Sequence, residues 1–293
     1  MGGFTVPRSF LESPRWWRGG GEWLAGLAEA VREQCARWRL TIDGAPAHGS
    51  NALVVPVIRE GEGFVLRLTP PGPDVAELIA ALRFWDGRGT VRLVDADAEA
   101  GVMLLERLSA TSLNDVPVDE AMHELGVVMD RLAVPAPDHV PDTGTAVARR
   151  MATMPQEWER LGRPFDGRIL DETLVIGQRL SLAAGDDAVN GDLHAEQVLR
   201  GGREPWLVVD PVLMRGDRAF DLGRVLWTRL DEMPRPDDVV RCFDIVVRAA
   251  GVEPAHGRDW VLYRAVDYWL WGLGAGLTED PVRCHRLVSV FRA

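Results

Sequence analysis

The spacing of apolar residues changes near residue 108, and this change limits the folds that the chain can adopt. Before it, two strand-like runs at 52–58 and 64–69 are joined across glycines and predict a β-hairpin. After it, apolar residues recur every three or four positions, as in 121–132, which indicates helices. We therefore expect an α+β protein with a small β-rich part at residues 1–108 and a larger, mainly helical part at residues 109–293.

The remaining expected elements follow from the same spacing rules and from turn-forming residues. They are helices at 23–38, 74–85, 146–161, 171–184 and 259–272, a mostly helical stretch over 219–292, and short strands at 91–94 and 102–106. Asp74 is the expected N-cap of the helix that runs to Trp85, and an acidic turn at 95–99 is expected between the two strands. With the hairpin, we expect a five-stranded sheet and one or two helices in the first part. Trp16 and Trp17 are expected to pack the N-terminal arm against the body of the protein.

The chain contains no lysine, because all 33 of its Lys and Arg residues are arginines. This excludes a Walker-type phosphate loop, which needs GK[ST], and any chemistry that uses a lysine amine. The net charge of −11 argues against a protein that coats duplex nucleic acid. Residues 109–293 hold 21 arginines against 30 acids, so most of the acidity lies there. That acidity serves either solubility or the attraction of a cationic small molecule.

Three cysteines, Cys35, Cys242 and Cys284, are far apart in the sequence and form no CxxC pair. A disulfide framework or a zinc site is therefore not expected, and a reducing compartment fits. The apolar stretch at 269–277 is too short to span a membrane. We expect a cytoplasmic protein, a monomer or weak dimer, that binds neither nucleic acid nor membrane.

The segment 189–211 contains the groups that phosphoryl transfer requires. Asp192 follows a glycine at a tight turn, and the amide of Gln197 comes five residues later. A hydrophobic strand then ends at Asp210, 18 residues after Asp192. In kinase-type transfer, one carboxylate accepts the proton of the attacking hydroxyl, while a second carboxylate and an amide oxygen hold Mg²⁺. The alternative interpretation is two ordinary carboxylates at loop ends.

These residues resemble the aminoglycoside phosphotransferase family, in its streptomycin 6-kinase and hydroxyurea phosphotransferase branch. The signature of that family is HGDxxxxN followed by a strand that ends in Asp. The matching segments occur in the family's order and are LLERL at 104–108, GDLH at 191–194, PWLVVDP at 205–211 and GDRAFDL at 216–222. The resemblance implies a two-lobed, protein-kinase-like fold with a hinge near 104–110. It also implies transfer of the γ-phosphate of ATP, with Mg²⁺, to a hydroxyl of a small cationic antibiotic, a streptomycin-like aminoglycoside being favoured.

The resemblance assigns roles to several residues of the C-terminal part. Asp192 would be the catalytic base, and Asp210 with Gln197 would hold Mg²⁺. Gln197 stands where the family usually has Asn, so its amide lies about 1.5 Å further from the backbone. Asn190 stands in place of the first His of the motif. His194 would orient the loop and Asp221 would anchor it.

In the N-terminal part, the resemblance implies that Arg67 replaces the family's phosphate-binding lysine. Arginine keeps the charge and can bind phosphate through two parallel hydrogen bonds. The alternative is that Arg67 points outward from its strand. Glu77 is the only acid near the place of the usual glutamate partner, and Leu78 occupies that place.

The nucleotide would also be bound through backbone and loop groups. The residues implied are Gly44, Gly49, Ser50 and Asn51 in a loop over the phosphates, and Glu106, Arg107 and Leu108 at a hinge that offers backbone groups to the base.

An acceptor site is suggested by aromatic residues that flank an acid. Trp269 and Trp271 lie on either side of Asp267 on an expected helix, and aromatic faces beside a carboxylate suit a cationic ligand. Aromatics at helical spacing are also typical of a core. Further acidic candidates are the pairs Glu279-Asp280 and Asp231-Glu232.

Two other functions remain open from the sequence. One is a kinase of a small polar metabolite or of another antibiotic, such as a peptide antibiotic or hydroxyurea. The other is a kinase-like protein that binds nucleotide or ligand with little turnover, because Arg67 and Gln197 both depart from the family's pattern. The sequence also leaves open ATP against GTP and the identity of the acceptor hydroxyl.

Overall fold

A computed structural model describes residues 4–12, 21–183 and 185–292. Trp16 and Trp17, expected to pack an N-terminal arm, lie outside these residues. The chain divides into two compact units, Met1–Leu108 and Ser109–Ala293. None of the helices in the described ranges is both long and apolar enough to cross a membrane.

The described residues of the N-terminal unit form three helices and six strands. The helices are α1 (Arg8–Glu12), α2 (Gly21–Trp38) and α3 (Pro73–Trp85). The strands are β1 (Thr41–Ile42), β2 (Ala47–His48), β3 (Leu53–Arg59), β4 (Glu62–Leu68), β5 (Leu93–Asp97) and β6 (Val102–Glu106). They make one antiparallel sheet in the order β1-β3-β4-β6-β5, with β2 also paired to β3. The expected five strands become six because two-residue strands on both sides of the turn-rich segment 43–46 pair with β3.

The β3–β4 hairpin fixes the position of Arg67. A two-residue turn, Glu60 and Gly61, joins the strands, and both residues have positive φ, 55° and 87°, as a type I′ turn requires. Leu66 and Leu68 of β4 are buried in a core that also contains residues of α2. Because side chains alternate between the faces of a strand, Arg67 lies on the opposite face. Its cross-strand neighbours there are Val54 and Met103.

Two expected boundaries in this unit were wrong. The helix at 74–85 begins one residue earlier, at Pro73, and its N-cap is Gly72 and not Asp74. The strand expected at 91–94 runs from Leu93 to Asp97 and includes residues assigned to an acidic turn. The strand continues because Asp95, Ala96 and Asp97 pair with β6 after a local shift of register. Charged residues are tolerated there because β5 is the edge strand of the sheet.

The C-terminal unit is mainly helical in its described residues. The helices are α4 (Val118–Leu132), α5 (Thr143–Arg160), α6 (Gly167–Leu182), α7 (Leu222–Trp227), α8 (Pro236–Ala249), α9 (Pro254–Gly274) and α10 (Asp280–Arg292). The strands are β7 (Asp187–Asn190), β8 (Val198–Arg200), β9 (Trp206–Val208) and β10 (Leu213–Gly216), paired as β7 with β10 and β8 with β9.

Helix α9 is the central element of this unit. It packs against α5, α6, α7 and α10 and buries large aromatic side chains, among them Trp260, Tyr263 and Trp269. Its partners surround it, so most of its faces are apolar. The two short strand pairs and the turns between them form the segment that carries the candidate catalytic residues.

Candidate active site

The loop that carries Asp192 begins where β7 ends, and the side chain of Asn190 holds its first turn. Asn190 is buried, and its Oδ1 accepts hydrogen bonds from the backbone N–H of Val212 at 2.8 Å and of Asp192 at 3.4 Å. A neutral imidazole has a single acceptor nitrogen, whereas an amide oxygen accepts two hydrogen bonds. The Asn that stands in place of the motif's His therefore ties both ends of the turn together.

The carboxylate of Asp192 is oriented but still open to solvent. Its side chain is 42% exposed, and its Oδ1 lies 2.7 Å from Nε of Arg224. Its Oδ2 accepts a hydrogen bond from Nε2 of Gln197 at the long distance of 3.5 Å. A carboxylate with oxygens fixed by neighbours and one side exposed can accept the proton of a bound hydroxyl.

Gln197 lies in a 3₁₀ turn, Ala195–Gln197, directly before β8. Its backbone carbonyl accepts a hydrogen bond from the N–H of Val209 at 2.9 Å, which brings it beside the residue that precedes Asp210. Its side-chain Oε1 is buried and has no hydrogen-bond partner among the described residues. A buried amide oxygen without a partner carries a desolvation cost that a cation would relieve. The longer Gln side chain therefore fits a Mg²⁺ ligand position.

The imidazole of His194 lies among the acids of this segment. Burial and the charge of Arg224 lower the pKa of His194, against the opposing effects of Asp192, Glu196 and Asp210. Both carboxylates proposed from the sequence thus act on one imidazole. Asp210 follows β9, so the β8–β9 pair brings it back toward Asp192 across 18 residues of chain.

Asp221 holds the loop through a hydrogen bond to its backbone. It is fully buried at the end of a 3₁₀ turn, Arg218–Asp221, and its Oδ1 accepts a hydrogen bond from the N–H of Leu193 at 3.3 Å. Burial raises the pKa of Asp221 to about 7, although Arg264 and the Leu193 N–H act in the opposite direction. Asp221 is therefore a buried support of the turn at Leu193.

In the N-terminal unit, the candidate nucleotide residues fall on β4, on a loop and at the end of β6. Gly49 and Ser50 are exposed, and Asn51 is half-buried, in the loop between β2 and β3. The Gly49 N–H donates to the carbonyl of Ala52 at 3.0 Å, so this loop is tightly closed. Gly44, assigned to the same loop from the sequence, precedes β2.

At the end of β6, Glu106 makes two hydrogen bonds to the backbone of Arg92, just before β5. Its Oε2 accepts the Arg92 N–H at 3.1 Å, and its own N–H donates to the Arg92 carbonyl at 2.9 Å. Arg107 pairs with Asp43 at 2.7 Å, and Leu108 is half-buried. The side chain and the backbone N–H of Glu106 therefore hold the strand end in place.

The place of the usual glutamate partner of Arg67 is apolar. Leu78 is 8% exposed and packs in the interior, while Glu77 is exposed on the other side of α3. One residue turns a helix by about 100°, which is the reason that neighbouring positions face different environments.

The acceptor candidates separate into two groups. Asp267 is buried and paired with Arg150 at 2.5 Å, so its charge is already neutralised inside the helical core. The neighbouring Trp269 is also buried and stacks on His285. Asp267 thus already has a cationic partner, and its contact with an acceptor stays a prediction.

The second group lies at an exposed end of α9 and α10. Trp271 is 44% exposed, and its ring centroid is 5.0 Å from that of Tyr268. Three acids from two segments converge on Arg283, at 2.5 Å for Asp231, 2.9 Å for Asp280 and 3.4 Å for Glu279. Three carboxylates against one guanidinium leave an excess of negative charge, beside an exposed indole.

Sequence reasoning missed Arg224 and Tyr268, which lie between these acids and Asp192. Arg224 Nη1 donates to the hydroxyl of Tyr268 at 3.4 Å, and Tyr268 stacks on Trp227 with centroids 4.6 Å apart. Asp280 also hydrogen-bonds to Tyr268. No sequence signal pairs these residues, because the contact joins α7 with α9 and only tertiary packing brings them together.

Comparison with known proteins identifies the family of the chain. The profile of the aminoglycoside/hydroxyurea antibiotic resistance kinase family matches residues 37–276. A streptomycin 6-kinase of Streptomyces glaucescens is 37% identical over 271 residues, which cover 89% of this chain and 88% of the relative. A hydroxyurea phosphotransferase of Kitasatospora aureofaciens is 35% identical over 270 residues, which cover 90% of this chain and 78% of the relative.

Among solved structures, a thermostable mutant of aminoglycoside phosphotransferase APH(4)-Ia, in a ternary complex with ADP and hygromycin B, superposes with a TM-score of 0.61 at 16% identity. The superposition covers 88% of this chain and 97% of that one. The expected α+β, protein-kinase-like fold is thereby confirmed. On the match of the profile to most of its length and on its identity to these relatives, the chain belongs to the aminoglycoside/hydroxyurea antibiotic resistance kinase family.

Proposed function

We propose that this kinase transfers the γ-phosphate of ATP to a hydroxyl of a small cationic antibiotic, with a streptomycin-like aminoglycoside as the first candidate. The observation that carries the proposal is the half-exposed carboxylate of Asp192 beside the buried Oε1 of Gln197, which has no hydrogen-bond partner in the part of the chain that the structure describes. The first group suits an acceptor hydroxyl and the second suits a metal ion. The streptomycin 6-kinase relative at 37% identity supports the choice of acceptor.

In the proposed reaction, the acceptor hydroxyl donates a hydrogen bond to Asp192, which orients its oxygen toward the γ-phosphorus. A bond forms between that oxygen and the phosphorus while the bond to the oxygen that bridges to the β-phosphate breaks. ADP leaves with the electron pair, and the hydroxyl proton passes to the Asp192 carboxylate. Such transfers depend mainly on positioning and on charge stabilisation.

Gln197 and Asp210 are the proposed ligands of Mg²⁺. Magnesium binds protein through one or two carboxylates or amides and keeps its other positions for phosphate and water. When bound, it would neutralise charge on the β- and γ-phosphate oxygens. The chain's own contribution is to keep an amide oxygen and a carboxylate close to Asp192 through the Gln197–Val209 backbone hydrogen bond.

The N-terminal unit is proposed to bind the nucleotide through Arg67, the loop at Gly49, Ser50 and Asn51, and backbone groups at Glu106 and Leu108. The ADP of the APH(4)-Ia complex supports nucleotide binding by this fold. A guanidinium can replace a lysine ammonium at phosphates because it keeps the charge and offers two parallel donors. Because ATP is a cytoplasmic substrate, we place the protein in the cytoplasm.

The acceptor is proposed to bind at the exposed end of α9 and α10. Trp271 offers an aromatic face to a cation, and the carboxylates of Asp231, Glu279 and Asp280 exceed the single positive charge of Arg283. A guanidinium or ammonium group of an antibiotic would complete this charge balance. Mutating Trp271 to Ala should raise the acceptor KM and leave the ATP KM unchanged.

Hydroxyurea is a second candidate acceptor, because the hydroxyurea phosphotransferase relative is 35% identical over 270 residues. It is small and uncharged, so it would gain little from the acidic group around Arg283. The two candidates therefore differ in their dependence on those acids.

The direct test is ATP consumption with Mg²⁺ against streptomycin, other aminoglycosides, peptide antibiotics and hydroxyurea, with phosphorylated product identified by mass spectrometry. We expect turnover with at least one aminoglycoside. Normal ATP binding without turnover on any acceptor would contradict the proposal and favour a kinase-like binding protein.

A further inference from the structure

Arg224 lies on α7, three residues after the loop anchor Asp221, and contacts the carboxylate of Asp192. Its Nε is 2.7 Å from Oδ1, and its side chain is 16% exposed against 42% for Asp192. The Nε–H is not aligned with that oxygen well enough for a hydrogen bond. The contact is therefore a charge interaction at short range in a partly desolvated place, where it is stronger than on an open surface.

Aromatic side chains hold Arg224 in this place. Its guanidinium carbon lies 5.5 Å from the ring centroid of Tyr268 and 5.7 Å from that of Trp227. Trp227 is fully buried, and the two rings are nearly parallel, with an interplanar angle of 28°. A planar guanidinium against stacked rings loses little further freedom when it binds a carboxylate.

The charge of Arg224 also acts on Asp221 and His194, two ionisable side chains near Asp192. Asp192 acts on the buried Asp221 and raises the pKa of that carboxyl, an effect smaller than that of burial, while Arg264 and Arg224 lower it. Arg224 acts on His194 as well, and there its positive charge lowers the pKa of the imidazole. Arg224 is thus the cation whose charge reaches the base, the loop anchor and the loop imidazole together.

We propose that Arg224 is a positioning residue for phosphate transfer. It holds Oδ1 of Asp192, so that the carboxylate presents its exposed side to the acceptor hydroxyl. This inference rests on the proposed role of Asp192 as the base. In a loose phosphoryl-transfer transition state the nucleophile needs orientation more than strong proton abstraction, so a guanidinium that fixes the carboxylate helps the reaction.

The test replaces Arg224 with a neutral side chain of similar reach and with a charged one. We expect Arg224→Gln to lower kcat by about 10- to 100-fold, the usual cost of misplacing a reacting group. The KM values for ATP and acceptor should stay within about twofold, because neither ligand is bound through Arg224. Arg224→Lys should recover most of the lost kcat. Guanidinium ion at low millimolar concentration should partly restore Arg224→Ala.

Arg248→Gln is the matched control, because Arg248 is an exposed arginine on α8 outside the proposed site. Its kcat should equal that of the wild type. ATP binding and thermal unfolding of each variant report whether the fold is intact. If Arg224→Gln fails to fold, Arg224→Lys and the guanidinium rescue decide the question.

A kcat of Arg224→Gln within about twofold of wild type would overturn the inference, as would a loss confined to the acceptor KM, which would make Arg224 a ligand-binding residue. Failure of the proposed function is a different result. In that case the wild type transfers no phosphate, or Asp192→Asn keeps wild-type rates, whatever Arg224 does.

Discussion

The loop at 190–197 of the C-terminal unit and strand β4 of the N-terminal unit both depart from the usual residues of the family, but in different ways. In the loop, Asn190 and Gln197 keep polar side chains. The Oδ1 of Asn190 accepts hydrogen bonds from two backbone N–H groups, and the Oε1 of Gln197 is buried. Near β4, Arg67 keeps a charge, while the place of its usual acidic partner is the buried Leu78.

This difference between the loop and β4 indicates where a substitution is tolerated. The loop is fixed by contacts from Asp221, Arg224, Val209 and Val212, so a side chain can change length while the surrounding contacts keep Asp192 in place. At β4 the departure extends to a second position, because the buried Leu78 stands where the family has the acidic partner. We therefore expect the loop residues to set the rate and Arg67 to set nucleotide affinity.

The largest expected effect is at Asp192. Asp192→Asn removes the proton acceptor and should lower kcat by about 100- to 10,000-fold, the range that general base catalysis contributes. ATP affinity, measured by isothermal titration calorimetry, should change little. If this variant kept wild-type turnover, the loop would not carry the base, and the expectation that the loop residues set the rate would be wrong.

Arg67 tests the expectation that β4 sets nucleotide affinity. Arg67→Ala removes a charged hydrogen-bond donor to phosphate and should weaken ATP binding by about 10- to 100-fold, as expected for a bond to a charged group. Arg67→Lys should bind ATP nearly as well as wild type, because it restores the residue type that the family uses. An unchanged Kd for Arg67→Ala would show that the residue only covers its face of the sheet.

Gln197 tests whether the longer amide is a metal ligand. Gln197→Ala should raise the Mg²⁺ concentration needed for half-maximal activity by about tenfold, because an oxygen ligand to a cation is lost. Gln197→Asn carries the shorter amide of the family, and its half-maximal Mg²⁺ concentration should lie between those of the wild type and Gln197→Ala. The measurement is a Mg²⁺ titration of initial rates, and equal curves for all three proteins would exclude a ligand role.

The smallest effect concerns the support of the turn that carries Asp221. Asp217 caps this turn through the Ala219 N–H and hydrogen-bonds to His256, which raises the pKa of the imidazole above its ordinary value of 6.5. The stability from this pair is present below pH 6.5 and is lost as pH rises through the raised pKa. With the His256 side chain 37% exposed, we expect only about 0.5 kcal/mol.

The check is urea unfolding of wild type and His256→Gln at pH 6 and pH 8.5. The wild type should lose slightly more stability than the variant between these two values. The same loss in both proteins would mean that the His256–Asp217 contact does not contribute through protonation.

Much of the fold was predictable because it follows from local periodicity. The helix at 23–38 differs from α2 only by two residues at its start, and the strand at 102–106 is β6. The errors occurred where pairing overrode local composition, as in β5, whose acidic residues read as a turn but pair with β6. Short strands such as β1 have too few residues for any periodicity.

The sequence by itself determined the family, the fold and the order of the acidic and amide groups from Asn190 to Asp221, because these depend on residue type and spacing along the chain. Tertiary structure alone decided which of the acids are available. It buries Asp267 against Arg150, gathers Asp231, Glu279 and Asp280 around Arg283, and brings Arg224 from α7 to Asp192. The physical reason is that burial and charge pairing depend on neighbours distant in sequence, which periodicity does not encode.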